Sequence, residues 1–240
     1  MQIIAVIPAR WGSTRFEGKV LAEINGKPML KLVWEKVKQA RLIDQVIIAC
    51  DDQRVFDAAR SFGSEVIMTR ADHATGTDRI IEVVDKFVGA EIVINIQADE
   101  PLIDPSVIDA LAGLMNNSPE SPMASIMSEI NDVREMADPN VVKVVVNNRQ
   151  EAMYFSRSVI PNRERGQEAK CYKHMGIYAY RRDFLLRYHG LPHSSLEQTE
   201  KLEQLRVLQA GYPIKMMITE YQSIGVDTPE DLLKIKTLLS

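Results

Sequence analysis

The sequence predicts an α/β fold: a Rossmann-like, mainly parallel sheet with a smaller mixed α/β insertion. Three observations carry this. In the first half, short apolar runs alternate with stretches of helical period, which is the pattern of βαβ units and a parallel sheet. Between roughly residues 120 and 180 the alternation gives way to separate extended runs. The chain has 240 residues, 45% hydrophobic and 26% charged, enough to bury a sizeable core in one domain with an insertion.

The elements follow in order. Ile3 to Ile7 reads as a buried strand, and Met29 to Ala40 as a helix with Pro28 near its first turn. Gln45 to Cys50 is a strand, Arg54 to Phe62 a helix, Glu65 to Met68 a short strand, Asp78 to Phe87 a helix and Ile92 to Ile96 a strand. Asp104-Pro105 opens another helix, with aspartate as N-cap and proline at the first position. Asn117 to Pro122 is a polar turn. Met123 to Ile130, Val141 to Val146, Ala152 to Phe155 and Tyr172 to Tyr180 are extended, and Ile160 to Lys170 is a polar loop or arm. Helices return over Leu196 to Gln209, a strand over Ile214 to Ile218, and a last helix begins at Thr228 with Pro229, Glu230 and Asp231 in its first turn. The expected organisation is a single domain over 1–240 with the insertion at roughly 120–180. Right-handed crossovers would bring the strands' C-terminal ends to one edge, where ligands bind.

A net charge of −4 with scattered basic residues gives no reason to expect a nucleic-acid partner. Cys50 and Cys171 are too far apart in sequence for a zinc site or a disulfide framework. The apolar N-terminus is too short for a signal segment, and no run reaches membrane-spanning length. The expectation is a soluble, reduced, cytoplasmic protein without a membrane partner.

The segment after the first strand runs Pro8-Ala9-Arg10-Trp11-Gly12-Ser13-Thr14-Arg15-Phe16-Glu17-Gly18-Lys19. Three cations, two glycines and two hydroxyls after a buried strand suit a phosphate chain, which needs close backbone approach and fixed positive charge. The pattern is neither a P-loop nor Gly-x-Gly-x-x-Gly, and a solvated charged loop is the plainer alternative. Asp99 and Glu100 follow the strand at Ile92–Ile96; such carboxylates suit Mg²⁺, which takes oxygen ligands and keeps waters. A role in capping the following helix competes evenly. Asp227, just before the N-cap Thr228, reads more readily as a turn residue than as a ligand. Ala74-Thr75-Gly76-Thr77-Asp78-Arg79, at a helix start, suits hydrogen bonding to a base or ribose edge; a simple cap by Thr77 is the competing reading.

These blocks together resemble the 3-deoxy-manno-octulosonate (Kdo) cytidylyltransferase family. The first follows Ile-Pro-Ala-Arg-x-x-Ser-x-Arg-x-x-x-Lys from Ile7 to Lys19, with Glu17 where proline is usual. Asn25-Gly26-Lys27-Pro28-Met29 continues it. Gln97-Ala98-Asp99-Glu100-Pro101 has Ala98 for the family's glycine, and Gly225-Val226-Asp227-Thr228-Pro229-Glu230-Asp231-Leu232 matches at the C-terminus. Tyr154-Phe155-Ser156-Arg157, His174-Met175-Gly176-Ile177-Tyr178 and Leu202-Glu203-Gln204-Leu205-Arg206 complete the order.

The resemblance implies a nucleotide-diphosphosugar-transferase-like fold, a homodimer held largely by the insertion, and transfer of CMP from CTP to Kdo for lipopolysaccharide biosynthesis. It implies that Arg10, Lys19, Asp99 and Asp227 are catalytic, with Mg²⁺ on Asp99 and Asp227 and Glu100 supporting its loop. Nucleotide binding would fall to Pro8, Ala9, Arg10, Ser13, Arg15, Lys19, Thr75, Gly76, Thr77, Arg79 and Gln97. Arg157 would meet the sugar carboxylate, and His174, Tyr178, Glu203 and Gln204 the sugar hydroxyls. Glu197 and Arg206 are expected as surface or packing partners, and Glu17 is expected to point to solvent. Rival readings are a cytidylyltransferase for amino-Kdo or sialic acid, and a catalytically silent nucleotide-binding regulator.

Overall fold

The computed structural model describes residues 1–13, 16–163, 166, 169–192 and 194–239. The chain divides into two compact units, Met1–Ala112 with Ser223–Ser240, and Gly113–Gln222. Among the described residues no helix is long and apolar enough to cross a membrane.

The first unit opens with β1 (Gln2–Ala9) and a 3-10 turn at Lys19–Leu21. A small hairpin of β2 (Glu23–Ile24) and β3 (Lys27–Pro28) turns through Asn25 and Gly26. Both turn residues have positive φ, as tight hairpins require. Then come α1 (Met29–Val37), β4 (Gln45–Cys50), α2 (Gln53–Ser61), β5 (Glu65–Met68), α3 (Gly76–Asp85), β6 (Ala90–Asn95) and α4 (Pro105–Asn117). Asp104 accepts from the Ser106 amide at 2.8 Å, the cap that Asp-Pro announced.

β1 lies between β6 and β4, with β5 beyond, all parallel. A strand covered on both faces must be apolar throughout, and Ile3, Ile4, Ala5, Val6 and Ile7 are all buried. The register sets Ala9 opposite Cys50 and Cys50 opposite Met68. The chain therefore leaves three neighbouring strands at one edge, at Arg10, Asp51 and Thr69.

The second unit holds β7 (Met123–Glu129), α5 (Val133–Ala137), β8 (Lys143–Val146), β9 (Ala152–Ser156), β10 (Tyr172–Arg181), α6 (Arg182–Tyr188), α7 (Ser195–Glu200), α8 (Gln204–Gln209) and β11 (Ile214–Ile218). β11 pairs parallel with β7; β7 with β10, β10 with β8 and β8 with β9 are antiparallel. The helical stretch read over 196–209 is two helices, because Lys201 turns left-handed (φ 56°) between them. The short α5 and α6 were not anticipated. Each is shorter than two turns, too brief for an apolar period to stand out.

The chain closes with α9 (Pro229–Leu238), which belongs to the first unit. Thr228 and Asp231 form a reciprocal capping box at its start.

Candidate active site

In the first unit the loops after β1, β4, β5 and β6 share the edge set by the parallel register. Arg10 is exposed where β1 ends. The next residue is anchored from below: the Trp11 amide donates to Asp51 Oδ1 at 2.9 Å, and Arg79 donates to Asp51 Oδ2 at 2.8 Å. Arg79 is 3% exposed and also donates to Thr69 Oγ1 and the Arg70 carbonyl. Its guanidinium is thus committed to holding the loop bases. Asp51 escaped the sequence reading; its signal was an acid next to Asp52, which caps α2 by accepting from the Arg54 amide.

The cationic loop closes on an indole. Trp11 Nε1 donates to Glu17 Oε1 at 2.8 Å, and the Arg54 guanidinium lies 3.6 Å from the indole centroid. Gly18 has φ +68°, and a Cβ there would stand 2.6 Å from the Trp11 ring, so only glycine lets the backbone pass so close. Glu17 is exposed, as expected, but it is not merely solvated: its carboxylate is tied to Trp11. Ser13 lies in the same turn, its amide donating to the Trp11 carbonyl. Arg15 lies outside the described residues.

Lys19 follows directly. Its Nζ donates to Asp99 Oδ2 at 2.6 Å, to Asp227 Oδ1 at 3.0 Å and to the Val226 carbonyl at 3.0 Å. The Val226 amide returns a bond to the Asp99 carbonyl at 2.9 Å. Two carboxylates from distant segments therefore converge on one cationic head. No group of three or more Asp, Glu, His or Cys converges among the described residues, and the Asp99–Asp227 oxygen pair on Lys19 is the candidate cation site. Such a donor set fits Mg²⁺, which binds through one or two carboxylates and completes its shell with water and phosphate. Glu100, next along, is buried and backs the loop. Burial, opposed by a bond to Ser223, pushes its carboxyl up to about 7, and its Oε2 has no hydrogen-bond partner among the described residues.

Around β5 the structure moves one assignment. The cap of α3 is Thr75, not Thr77: Thr75 Oγ1 accepts from the Asp78 amide, and Asp78 reaches back to the Thr75 amide. Thr77 is buried on the inner side of the first turn. Gly76 lies over the Pro8 ring, a Cβ at 76 coming within 3.6 Å of it. Pro8 and Ala9 end β1, and Gln97 is half-buried just past β6. The described nucleotide-binding candidates of this unit thus occupy one edge, Arg79 beneath it.

In the second unit β10 carries His174 and Tyr178 on one face, their rings 5.3 Å apart. Gln204, buried at the start of α8, joins them. Tyr178 donates to Gln204 Oε1 at 3.3 Å, and Gln204 Nε2 lies 3.5 Å from His174 Nδ1. His174 Nε2 is 2.9 Å from Ser125 Oγ, which reaches the Ile177 carbonyl at 2.8 Å. One assignment satisfies every group: Gln204 donates to Nδ1, Nε2–H donates to Ser125, and Ser125 donates to Ile177. Burial pushes the His174 pKa down to about 3, so the ring is neutral at neutral pH, and burial raises the Tyr178 phenol well above its usual value. Glu203 precedes Gln204 at the helix start, half-buried. Arg157 follows β9, with Nε donating to the Glu200 carbonyl at 2.9 Å and Nη1 to the Pro139 carbonyl at 3.0 Å. Glu197 and Arg206 are packing partners of each other, paired at 2.6 Å with both side chains largely buried.

A phosphate-type cationic loop and two converging carboxylates on the edge of a parallel sheet define a nucleotidyltransferase-like protein. Comparison with known sequences agrees: a family described as cytidylyltransferase matches residues 4–219, and the chain belongs to that family. It is 52% identical to the 3-deoxy-manno-octulosonate cytidylyltransferase of Solibacter usitatus (strain Ellin6076) over 99% of this chain and 94% of the relative. The corresponding enzyme of Syntrophotalea carbinolica is 48% identical over 100% of this chain and 99% of its own. A solved structure of CMP:2-keto-3-deoxy-manno-octonic acid synthetase complexed with CTP superposes with a TM-score of 0.96 at 47% identity, covering 100% of this chain and 98% of that one. Within its family the chain is a member of the 3-deoxy-manno-octulosonate cytidylyltransferase group.

Proposed function

We propose that this protein transfers CMP from CTP to Kdo, releasing pyrophosphate and giving CMP-Kdo for lipopolysaccharide biosynthesis. The observation that carries this is the meeting of Lys19, Asp99 and Asp227 at the sheet edge where Arg10 emerges. The CTP bound in the 47%-identical structure supports the choice of nucleotide.

Arg10 and Lys19 bind the triphosphate, arginine gripping oxygens bidentately and lysine acting as a point charge. The same two cations stabilise charge on the departing pyrophosphate. The Thr75–Gly76–Thr77 turn and Gln97 bind the cytosine and ribose, while Ser13 and Arg15 complete the loop. Asp99 and Asp227 would hold Mg²⁺, which would supply charge neutralisation at the phosphates. The anomeric hydroxyl of Kdo attacks the α-phosphorus in line, so no covalent enzyme intermediate forms. Arg157 receives the sugar carboxylate, and His174, Tyr178, Glu203 and Gln204 meet or orient the hydroxyls. The insertion at roughly 120–180 supplies sugar contacts and the surface of a homodimer, and the enzyme works in the cytoplasm.

A pyrophosphate-release assay with CTP, Mg²⁺ and a panel of acidic sugars tests the reading. Kdo is expected to give the highest kcat/KM. Preference for amino-Kdo or sialic acid would reassign the acceptor, and CTP binding without release for any sugar would make the protein a regulator.

A further inference from the structure

Among the described residues Lys143 is the most deeply buried cation of the second unit, with 0% of its surface exposed. Burying an ammonium is costly unless every donor is satisfied. Here all three are: Nζ donates to the carbonyls of Asp138 at 3.0 Å, Val141 at 2.7 Å and Arg157. The lysine thus stitches the turn at 138–141 to Arg157, the residue that follows β9. Glu200, at the end of α7, holds the same residue from its other side. Its Oε2 accepts from the Arg157 amide at 2.9 Å, and its Oε1 from Ser156 Oγ at 2.7 Å and Tyr154 at 3.5 Å. Burial pushes the Glu200 carboxyl up, but the bonds from Arg157, Ser156 and Tyr154 more than offset it and leave the group ionised below its usual range. The Arg157 side chain completes the frame, its Nε on the Glu200 carbonyl and its Nη1 on Pro139. Both peptide groups of Arg157 are therefore held by charged residues, its carbonyl by Lys143 and its amide by Glu200, and its guanidinium rests on the Glu200 and Pro139 carbonyls.

We propose that Lys143 and Glu200 are positioning residues for Arg157, setting where its guanidinium meets an acidic sugar. This rests on the reading that Arg157 receives the sugar carboxylate. A core that needed only stability would not require charge here, since apolar side chains of similar volume commonly serve at least as well. A carboxylate receptor does require a fixed guanidinium, because bidentate recognition tolerates little displacement.

The test compares Glu200→Gln, Lys143→Met and Arg157→Lys with the parent enzyme, measuring KM for Kdo, KM for CTP and Tm. Glu200→Gln keeps the shape but turns an amide NH₂ toward either Ser156 or the Arg157 amide. It is expected to raise KM for Kdo about tenfold, the order of a sub-ångström displacement of a binding group, with KM for CTP within about twofold. Lys143→Met is expected to shift the same ratio and also to lower Tm. Should Lys143→Met fail to fold, Glu200→Gln decides alone. Unchanged KM for Kdo in Glu200→Gln, or equal rises for both substrates, would overturn the positioning role if Arg157→Lys still weakens Kdo selectively. Unchanged KM for Kdo in Arg157→Lys would overturn the carboxylate reading itself, and the proposal with it.

Discussion

Lys19 Nζ stands 2.6 Å from Asp99 Oδ2 and 3.0 Å from Asp227 Oδ1, joining residues 80 and 208 positions away. The lysine proposed to meet phosphate is, in this structure, the counter-ion of both candidate metal ligands. This arrangement makes the site's chemistry separable from its stability.

Replacing Asp99 by alanine leaves Lys19 with Asp227 and the Val226 carbonyl, so no buried charge is stranded. Asp99→Ala is expected to keep its fold, by circular dichroism and Tm, while losing turnover on the order of a thousandfold or more. Near-normal turnover would remove the metal role from Asp99.

Lys19→Met does the opposite, removing the cation that the two carboxylates share. The variant is expected to be less stable than the parent and to be rescued by Mg²⁺ alone, its Tm rising more with added Mg²⁺ than the parent's. Equal Mg²⁺ response in both proteins would show that the two carboxylates do not form one cation site.

The Trp11–Glu17 bond is expected to hold the loop between Arg10 and Lys19. In Glu17→Ala, made in a Trp34→Phe background so that Trp11 alone reports, indole emission should shift to the red and KM for CTP should rise up to about fivefold. That is the scale of losing one exposed charged hydrogen bond. Unaltered emission and KM would make the contact incidental.

His174 gives the pH dependence. Its folded pKa, about 3, lies below the usual histidine value of 6.5, so the unfolded chain binds the extra proton first. Stability from the neutral ring is complete above pH 6.5 and is lost as pH falls from 6.5 toward 3, at up to about 1.4 kcal/mol per unit. Acid unfolding of His174→Gln should therefore be shallower over that window. Identical slopes would mean that the ring is readily protonated in the folded state.

Both cysteines should resist alkylation in the native protein. Burial raises the Cys50 thiol to about 11 and raises Cys171 as well. Thiol reagents at pH 8 are expected to label neither until denaturant is added; rapid native labelling of Cys50 would contradict its burial.

Much of this was legible in order. The alternation of apolar runs located β1, β4, β5 and β6; β1 and β6 are buried along nearly all their length, as strands covered on both faces must be, while β5 is a short, partly exposed strand. Asp104-Pro105 and Thr228-Pro229 announced helix starts, since capping chemistry is local. Where two hydroxyls competed for one cap, local pattern was not enough. Thr75 and Thr77 both stand at the start of the same helix, and only the backbone path made Thr75 the cap and put Thr77 in the first turn. Asp51, Lys143 and Glu200 went unseen for a related reason: an acid or a lysine in a sequence of ordinary charge looks solvated until its partners are known.

By itself the sequence determined the longer strands and helices, the family blocks and the residue types of the site, because these depend on near neighbours and on spacing along the chain. The tertiary structure decided what each charge faces. It turned Glu17 onto Trp11, sank Arg79 beneath the loop against Asp51, and brought Lys19 between Asp99 and Asp227. Electrostatic partnership falls off with distance in space, not in sequence, so no reading of neighbours could have assigned it.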